Sequence, residues 1–334
     1  MLAKSLLIDE TSGIINDSIV RDFAAQGIRT TDPRIRYYLW QFLLHLLPND
    51  RSKWESTIQT RFEQYFKWVK IYFPDTFDWL EKDFSSEKTV KDFGLKNDNI
   101  MTQIYGDVIR MPNKAFIDCG IAKNEDEVSI YAKRIQRILY LFSNLNSAYS
   151  YTQGFNEIVL PLYEIVLKAN RVLGGDDDLS ESITFFLFQN LVTGTGLGDL
   201  FTMEQDFESV NGRFKVINKM IYFYDKDLYT LFNNLEIDPL QFAFPWVTLL
   251  FTQIYTGENL FHIWDKFLLK KVNVLEYAMA MASAHLIEVK SSLIGHNFNE
   301  ILEFLQNIPA LDVTTIAVLA EDVWTQYCNG IKSK

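Results

Sequence analysis

The sequence predicts an all-α protein, and three observations support that prediction. Apolar residues recur at steps of three and four over most of the 334 residues, which is the spacing of a buried helix face. Alternating patterns long enough for a strand do not occur. Hydrophobic residues make up 48% of the chain and aromatic residues 15%, so the helices need a large core to bury them. We therefore expect about a dozen or more helices, in one large domain or two packed subdomains.

Two amphipathic segments come early in the chain. The segment after Asp32 places apolar side chains on one face, and Pro48 is expected to end it. The next segment, 54–69, carries large apolar side chains at steps of three and four. Residues 84–99 are polar and include a glycine, which predicts a loop. The two amphipathic segments, the one after Asp32 and 54–69, are therefore each expected to form a helix that buries one face.

A long helix and a fully buried helix are predicted in the middle. Asn124 and Glu127 have the spacing of a capping pair, and an apolar stripe behind them reaches Leu145. After Gly154, FNEIVLPLYEIVLKA is apolar on nearly every side, which predicts a buried helix kinked at Pro161. The run RVLGGDDDLSE predicts a turn. Further helical patterns cover 179–193, 201–234, 238–254, 258–270, 273–293, 298–307 and 311–328.

Composition argues against several classes of function. Asp and Glu number 43 against 32 Lys and Arg, a net charge of −11, which disfavours broad nucleic-acid binding and an electrostatic membrane anchor. Cys119 and Cys328 lack CxxC spacing and fit reduced thiols. The opening MLAKSLLIDE is a poor signal peptide, because Asp9 and Glu10 interrupt its apolar run. We expect a cytoplasmic protein that does not insert into a membrane.

The sequence lacks the motifs of a metal site, a phosphate-binding loop or a catalytic nucleophile, which would allow the chain to carry out a reaction by itself. The four histidines lie singly, so no metal site is predicted, and His45 and His262 are expected in the core or at its edge. The stretch GTGLG at 194–198 lacks the Lys-Ser or Lys-Thr of a phosphate-binding loop and is interpreted as a flexible loop. The acidic run 176–178 lacks the ligand pattern of a calcium loop and is expected to be a solvated turn. The sequence contains no GxSxG motif, the elbow that carries the nucleophilic serine of many hydrolases.

Three short motifs follow one another along the chain: RxxxW at 36–40, IxxDxxR at 104–110 and YxQG at 151–154. Each alone has an ordinary structural interpretation. Asp107 and Arg110 have the spacing of a surface ion pair, and Gly154 gives backbone freedom where a loop enters a helix. Together, in this order, the motifs resemble the signature of the TBC-domain family, the GTPase-activating proteins of Rab-type small GTPases.

The resemblance covers the chain from about Gly27 to Trp324. GIRTTDPRIRYYLWQFLLHLLP is similar to the family's opening segment, YTQGFNEIVLPLY to its central helix, and FAFPWVTLLFTQIYTGENLFHIWDKFL to its FAFxW and IWD block. NEILEFLQNIP and LDVTTIAVLAEDVW resemble its closing helices. Within the family, the chain is most similar to the small single-domain branch typified by TBC family member 13. One departure is Pro245, which follows the second Phe of the FAFxW block, where the family usually has a basic residue. If that basic residue contacts the GTPase or braces the site, this chain is expected to differ in affinity or in choice of partner.

The resemblance implies a TBC-domain fold, in which two packed helical subdomains form a V-shaped groove. The domain would extend over 27–328, with an internal boundary near 180–200. It would follow an N-terminal lead-in of 1–26 and precede a C-terminal tail of 329–334.

The resemblance also implies a function. The chain would accelerate GTP hydrolysis by a Rab-family GTPase in its GTP-bound state and so switch the Rab off in vesicle traffic. Arg110 would be an arginine finger, and Gln153 a glutamine finger that stands in for the GTPase's own glutamine. The chain would be a GTPase activator rather than an enzyme. It would need no metal or cofactor of its own, because the GTPase holds GTP and Mg²⁺, and the Rab would recruit it to endomembranes.

Further residues expected to support the fingers are Asp107, Tyr151, Gly154, Arg36, Trp40 and Asn156. Asp107 would hold Arg110 by an ion pair, and Tyr151 would orient the loop of Gln153. Arg36 and Trp40 would brace the floor of the groove.

Two alternative functions belong to classes of protein other than GTPase activators. A TBC fold without catalytic action would bind a GTPase or another partner as a module or scaffold, and the presence of both Arg110 and Gln153 favours the active interpretation. A scaffold of helical repeats is disfavoured, because the sequence has no period of about 30 to 45 residues.

Overall fold

The structure is a computed structural model that describes residues 13–28, 31–73, 79–81, 94–149, 151–202, 207–270 and 273–332. Within these ranges the chain forms helices and no β-strand, with extended pairing limited to isolated bridges at Ile14–Asp50 and Tyr149–Thr202. The all-α prediction is therefore confirmed. The chain divides into two compact units. The first unit is Met1–Gly194 with Phe201–Met203, and the second is Thr195–Leu200 with Glu204–Lys334.

The described helices of the first unit are α1 (Asp17–Ala25), α2 (Pro33–Leu43), α3 (Trp54–Tyr72), α4 (Asp98–Ile109), α5 (Asn113–Asp118), α6 (Glu125–Leu145), α7 (Phe155–Leu173) and α8 (Asp177–Gly194). A 3₁₀ turn, Arg51–Lys53, precedes α3.

The described helices of the second unit are α9 (Phe207–Tyr224), α10 (Lys226–Asn234), α11 (Leu240–Thr248), α12 (Gly257–Leu269), α13 (Val274–Glu288), α14 (Phe298–Gln306) and α15 (Val313–Lys332). In this unit α13 is buried on nearly all sides, and α9, α11, α12 and α15 pack against it.

Three aromatic rings tie the central helices of the first unit together. Phe142 of α6, Phe155 of α7 and Phe188 of α8 have ring centroids 4.8 to 5.8 Å apart, in edge-to-face arrangements. Such pairs stabilise the core by about 0.5–1.5 kcal/mol beyond the area that they bury. Because Phe155 is the first residue of α7, this contact fixes where the loop before α7 enters the core.

Local sequence explains why the helices begin where they do. The Asp32 carboxylate accepts from the Arg34 amide, and proline occupies the first position of α2, where its missing N–H costs nothing. The predicted cap of α6 is present, since Asn124 accepts from the Glu127 amide. Both starts follow from the residues at the helix ends alone.

The predicted buried helix after Gly154 is α7, which contains Pro161 and has most of its residues buried. Gly154 and Gly174 flank it in the left-handed region, with φ of 101° and 80°. The predicted turn RVLGGDDDLSE is correct only at 174–176. The carboxylate of Asp176 accepts from the Leu179 amide and starts α8, so the acidic run predicted as a solvated turn largely belongs to a helix N-terminus.

Several predicted boundaries in the first unit are wrong for identifiable reasons. Helix α2 ends at Leu43 rather than at Pro48, because His45 takes a left-handed conformation (φ 57°) and the chain turns there. His45, expected in or beside the core, is exposed. Helix α1 lies within the predicted lead-in of 1–26, whose bound as a domain limit stays a prediction.

The second unit departs from prediction in a similar way. The predicted helix 201–234 is two helices, because the Asp225 carboxylate accepts from the Asp227 and Leu228 amides and starts α10. The predicted loop GTGLG leads into a 3₁₀ turn, Leu197–Leu200. At the C-terminus α15 continues through Lys332, so residues 329–332, predicted as tail, are helical.

The predicted helix 238–254 is also too long. Helix α11 ends at Thr248, because Leu250 and Phe251 are left-handed (φ 48° and 65°) and turn the chain. This turn brings the ring of Phe251 onto His285, with centroids 5.0 Å apart. In the described ranges, no helix is both long enough and apolar enough to cross a bilayer.

Candidate functional site

Arg110 lies at the end of α4, where the chain leaves the core. Ile104 and Val108 are almost fully buried on the side of α4 that packs against α6. Arg110 follows the last helical residue as its C-cap, and Pro112 then opens α5. The Arg110 side chain is consequently 66% exposed, while its backbone is held at the end of a packed helix.

Asp107 holds this arginine from one turn earlier. One of its carboxylate oxygens pairs with Arg110 Nη2, and the other accepts a hydrogen bond of 2.7 Å from the Tyr151 hydroxyl. The Asp107 side chain is only 10% exposed. A pair that the spacing alone suggests to be an ordinary surface pair is therefore partly sheltered from water, and its anionic partner is fixed on two sides.

Tyr151 is a buried donor in this arrangement. Burial raises the pKa of its phenol, and the hydrogen bond to the Asp107 carboxylate raises it further, so the group stays protonated and donates. Its ring meets Phe155 edge-on, with centroids 6.2 Å apart. The sequence interpretation gave Tyr151 a role with Gln153 and missed its bond to Asp107, which lies 44 residues away in the chain.

Gln153 is exposed on the short loop between Tyr151 and α7. Gly154, in its left-handed conformation, turns the chain into the helix, and the amide of Glu157 donates to its carbonyl. Two residues span at most about 7 Å, so the Cα atom of Gln153 lies within about 7 Å of that of Tyr151, whose side chain bonds Asp107. The structure thus brings the end of α4, with Arg110, to the loop that carries Gln153.

The remaining predicted site residues lie in the interior. Arg36 is 3% exposed and donates to the Ile28 carbonyl at 3.3 Å, while Trp40 is fully buried on the same helix, α2, which packs against α7. Asn156 is 5% exposed on α7, and its Oδ1 has no hydrogen-bond partner among the described residues. These three positions support the helices around the site.

The exposed groups determine what this arrangement can do. A guanidinium is planar, always charged and able to donate two parallel hydrogen bonds to phosphate oxygens. A primary amide both donates and accepts. Across the described ranges, no group of three or more His, Cys, Asp or Glu could hold a metal ion. The site can thus bind and polarise an anionic ligand at its surface.

Comparison with known proteins shows to which family the chain belongs. The model of the Rab-GTPase-TBC domain matches residues 33–290, which is most of the chain and includes both Arg110 and Gln153. The chain belongs to the RabGAP-TBC family. The resemblance seen in the three sequence motifs is thereby confirmed.

Relatives of this TBC domain agree with that assignment. TBC1 domain family member 13 of Mus musculus is 31% identical over 191 residues, which is 57% of this chain and 46% of that protein. A TBC domain-containing protein of Schizosaccharomyces pombe is 26% identical over 212 residues, 59% of this chain and 34% of that protein. The matched regions therefore span less than half of these relatives.

Solved structures share the fold. The Ypt/Rab-GAP domain of Gyp1p has a TM-score of 0.73 with 22% identity, over 97% of this chain and 96% of that one. The Chlamydomonas flagellar RabGAP TBC domain has a TM-score of 0.59 with 16% identity, over 92% and 84% of the two chains. At these identities the likeness establishes the TBC fold.

Proposed function

We propose that this TBC domain accelerates GTP hydrolysis by a Rab-family GTPase, with Arg110 and Gln153 supplied in trans as arginine and glutamine fingers. The observation that carries the proposal is the position of Asp107, which bonds both Arg110 and Tyr151. This contact joins the turn of the arginine to the loop of the glutamine, while both side chains stay exposed. Two side chains that act together on one nucleotide must be held close to each other, and this contact links the two segments that carry them.

Each finger has a distinct physical task. GTP hydrolysis needs a positioned water and neutralisation of the charge that builds on the phosphoryl oxygens and the leaving group. The Arg110 guanidinium supplies the charge. The Gln153 carboxamide accepts a hydrogen bond from the attacking water and donates to the phosphate or to backbone, in place of the GTPase's own glutamine.

The partner supplies what the chain does not. In this proposal the Rab binds in its GTP-bound state and holds GTP and Mg²⁺, so the TBC domain needs no cofactor of its own. Hydrolysis switches the Rab off in vesicle traffic. The domain acts in the cytoplasm and reaches endomembranes through the Rab.

The test is a hydrolysis assay over a panel of purified Rab-family GTPases loaded with GTP. We expect wild type to accelerate one or a few of them, and Arg110→Ala and Gln153→Ala each to lose most of that acceleration. Arg213→Ala is the matched control, because Arg213 is another partly exposed arginine paired with an aspartate, Asp199, at 3.5 Å. Thermal unfolding checks that every variant is folded.

The outcomes separate the candidate functions. Acceleration that survives both substitutions would assign catalysis to other residues. A folded wild type that accelerates no Rab would favour a TBC module that binds a GTPase without activating it. Normal activity in Gln153→Ala alone would mean that the GTPase uses its own glutamine.

A further inference from the structure

Helix α4 contains a glycine one turn before the proposed arginine finger. Gly106 lies inside this helix, and Arg110 follows the last helical residue as a C-cap whose backbone is still helical, with φ of −80° and ψ of −12°. A glycine in a helix interior is destabilising relative to alanine, because it loses more backbone freedom on folding. The surroundings of Gly106 show what the absent side chain provides in return.

The two usual reasons for a glycine do not apply at this position. Gly106 is not among the glycines with positive φ, so its backbone suits any residue. No neighbouring helix approaches it closely. A Cβ atom built on Gly106 would have one heavy atom of the described residues within 4 Å, beyond its chain neighbours and the backbone of its own helix. That atom is Nη1 of Arg110, at 3.7 Å, so the finger itself occupies the space beside Gly106.

The direction of the Arg110 side chain explains this contact. Residues four apart lie on the same face of a helix, and long side chains point back towards its N-terminus. The Arg110 side chain accordingly lies over the turn that contains Gly106 and Asp107. Its Nη2 pairs with the Asp107 carboxylate, which also accepts the hydrogen bond from Tyr151. The guanidinium is therefore bonded to Asp107 through one nitrogen, while the other lies beside Gly106.

We propose that Gly106 is a positioning residue for the arginine finger. Its missing side chain leaves the space in which Nη1 lies, so that Nη2 can reach the carboxylate that also bonds Tyr151. A longer side chain would place γ carbons about 1.5 Å beyond the Cβ position and compete with the guanidinium for this space. Because the Arg110 side chain is 66% exposed, it would move into solvent without disturbing the core. The consequence for hydrolysis rests on the proposed function.

The first test measures the placement of Arg110 in the chain alone. Carbon-detected NMR of the guanidinium reports rotation about the Nε–Cζ bond, and the Arg110 signal is identified by its absence from Arg110→Ala. We expect Gly106→Val to speed this rotation at least about threefold, because the charged hydrogen bond to Asp107 that restrains it is lost. Gly212→Val is the matched control and should leave the signal unchanged, since Gly212 lies inside α9 and a Cβ there meets no atom within 4 Å.

The second test is the hydrolysis assay, in which the maximal acceleration and the concentration of TBC domain that gives half of it are measured separately. Gly106→Val should lower the maximum at least about tenfold, because small displacements of a catalytic group have large effects on rate. The half-maximal concentration should change less than about threefold. Gly106→Ala should keep most of the maximum, because 3.7 Å is an ordinary van der Waals distance, and should raise the Tm by about 1–3 °C.

A double variant shows whether Gly106 acts through the finger. In an Arg110→Ala background, Gly106→Val should change the rate less than about twofold, because the residue that it displaces is gone. A loss that persists undiminished in this background would overturn the proposal, and so would normal acceleration in Gly106→Val. A fall in Tm that accounts for the lost activity would assign Gly106 to the fold.

The NMR measurement keeps this inference separate from the proposed function. Unchanged rotation of the Arg110 guanidinium in Gly106→Val would refute the positioning role, whatever the hydrolysis assay shows. If wild type accelerates no Rab while the rotation responds as expected, the proposed activity fails and the placement of Arg110 by Gly106 stands.

Discussion

Two groups of side chains in the first unit are built from a tyrosine, a carboxylate and an arginine, and they differ in burial. In the finger triad, the Tyr151 hydroxyl donates to Asp107, which pairs with Arg110. In the buried triad, the Tyr65 hydroxyl donates to Glu181 at 2.5 Å, and Arg137 donates to both oxygens of that carboxylate at 2.6 Å. The arginine side chain is 66% exposed in the first and 8% exposed in the second.

In the buried triad the arginine is bound through two of its nitrogens, Nε and Nη2 of Arg137. Burial disfavours the charged guanidinium of Arg137, but Glu181 outweighs this effect and raises the pKa of Arg137. Arg134 adds a further bond of 2.7 Å to the same carboxylate and one of 2.6 Å to Asp178. These contacts join α3, α6 and α8, and the side chains of Arg134, Arg137 and Glu181 are enclosed and therefore not available to a partner.

The finger triad keeps its arginine available. Asp107 engages one nitrogen of the Arg110 guanidinium, and most of the side chain faces solvent. The tyrosine and the carboxylate are sheltered, so the anchor is rigid while the charged end is accessible. The comparison teaches that accessibility of the arginine, rather than the presence of an ion pair, separates a group that can act on a partner from one that stabilises the fold.

The largest effect that we expect is on hydrolysis. Arg110→Ala should lower the acceleration of the cognate Rab by about 10³- to 10⁵-fold, the range attributed to arginine fingers. Because the side chain is exposed, the free energy of unfolding should change by no more than about 0.5 kcal/mol. Arg110→Lys separates charge from geometry, since it keeps the charge and loses the planar pair of donors. An Arg110→Ala variant that unfolds would assign the residue to the fold.

The next effect is on stability and belongs to the buried triad. Glu181→Ala leaves Arg134 and Arg137 enclosed without their shared carboxylate, so the free energy of unfolding should fall by about 3–5 kcal/mol. Urea denaturation measures it, with Glu303→Ala, an exposed glutamate, as control. The acceleration per folded molecule should match wild type. A normal stability would show that the buried charges are dispensable.

The two triads also show what the sequence can and cannot predict. The repeated apolar spacing of α6 predicts that helix, and the motifs single out Arg110 and Gln153. The bond between Tyr151 and Asp107 joins positions 44 residues apart, and that between Tyr65 and Glu181 joins positions 116 apart. No local pattern contains such contacts, because they arise only when the helices pack.

The predicted C-terminal boundary of α11 is wrong for the same physical reason. Its apolar pattern continues to 254, but the left-handed turn at Leu250 and Phe251 ends the helix at Thr248. That turn is accompanied by the packing of Phe251 on His285, which is distant in sequence. Long-range packing overrides the local preference for helix there.

The third expected effect is smaller and follows from removing the tyrosine hydroxyl of each triad. Tyr151→Phe removes the bond that fixes Asp107, and a hydrogen bond to a charged group contributes about 1.5–3 kcal/mol. We expect the acceleration of hydrolysis to fall about tenfold, with the fold retained. Tyr65→Phe is the matched variant, and it should lower the free energy of unfolding by a similar amount without changing the acceleration. If both variants affected only stability, the bond to Asp107 would have no role in placing the finger.

The smallest effect concerns the loop that carries Gln153, which has no counterpart in the buried triad. Gly154→Ala adds a side chain at φ 101°, a conformation that costs an L-residue about 1–2 kcal/mol, so stability should fall by that amount. Relief of this strain would rotate the loop, and we expect the acceleration to fall several-fold. Gly194→Ala is the control, because a methyl group there meets no atom within 4 Å and needs no left-handed backbone. Equal behaviour of the two alanine variants would mean that the left-handed turn does not position Gln153.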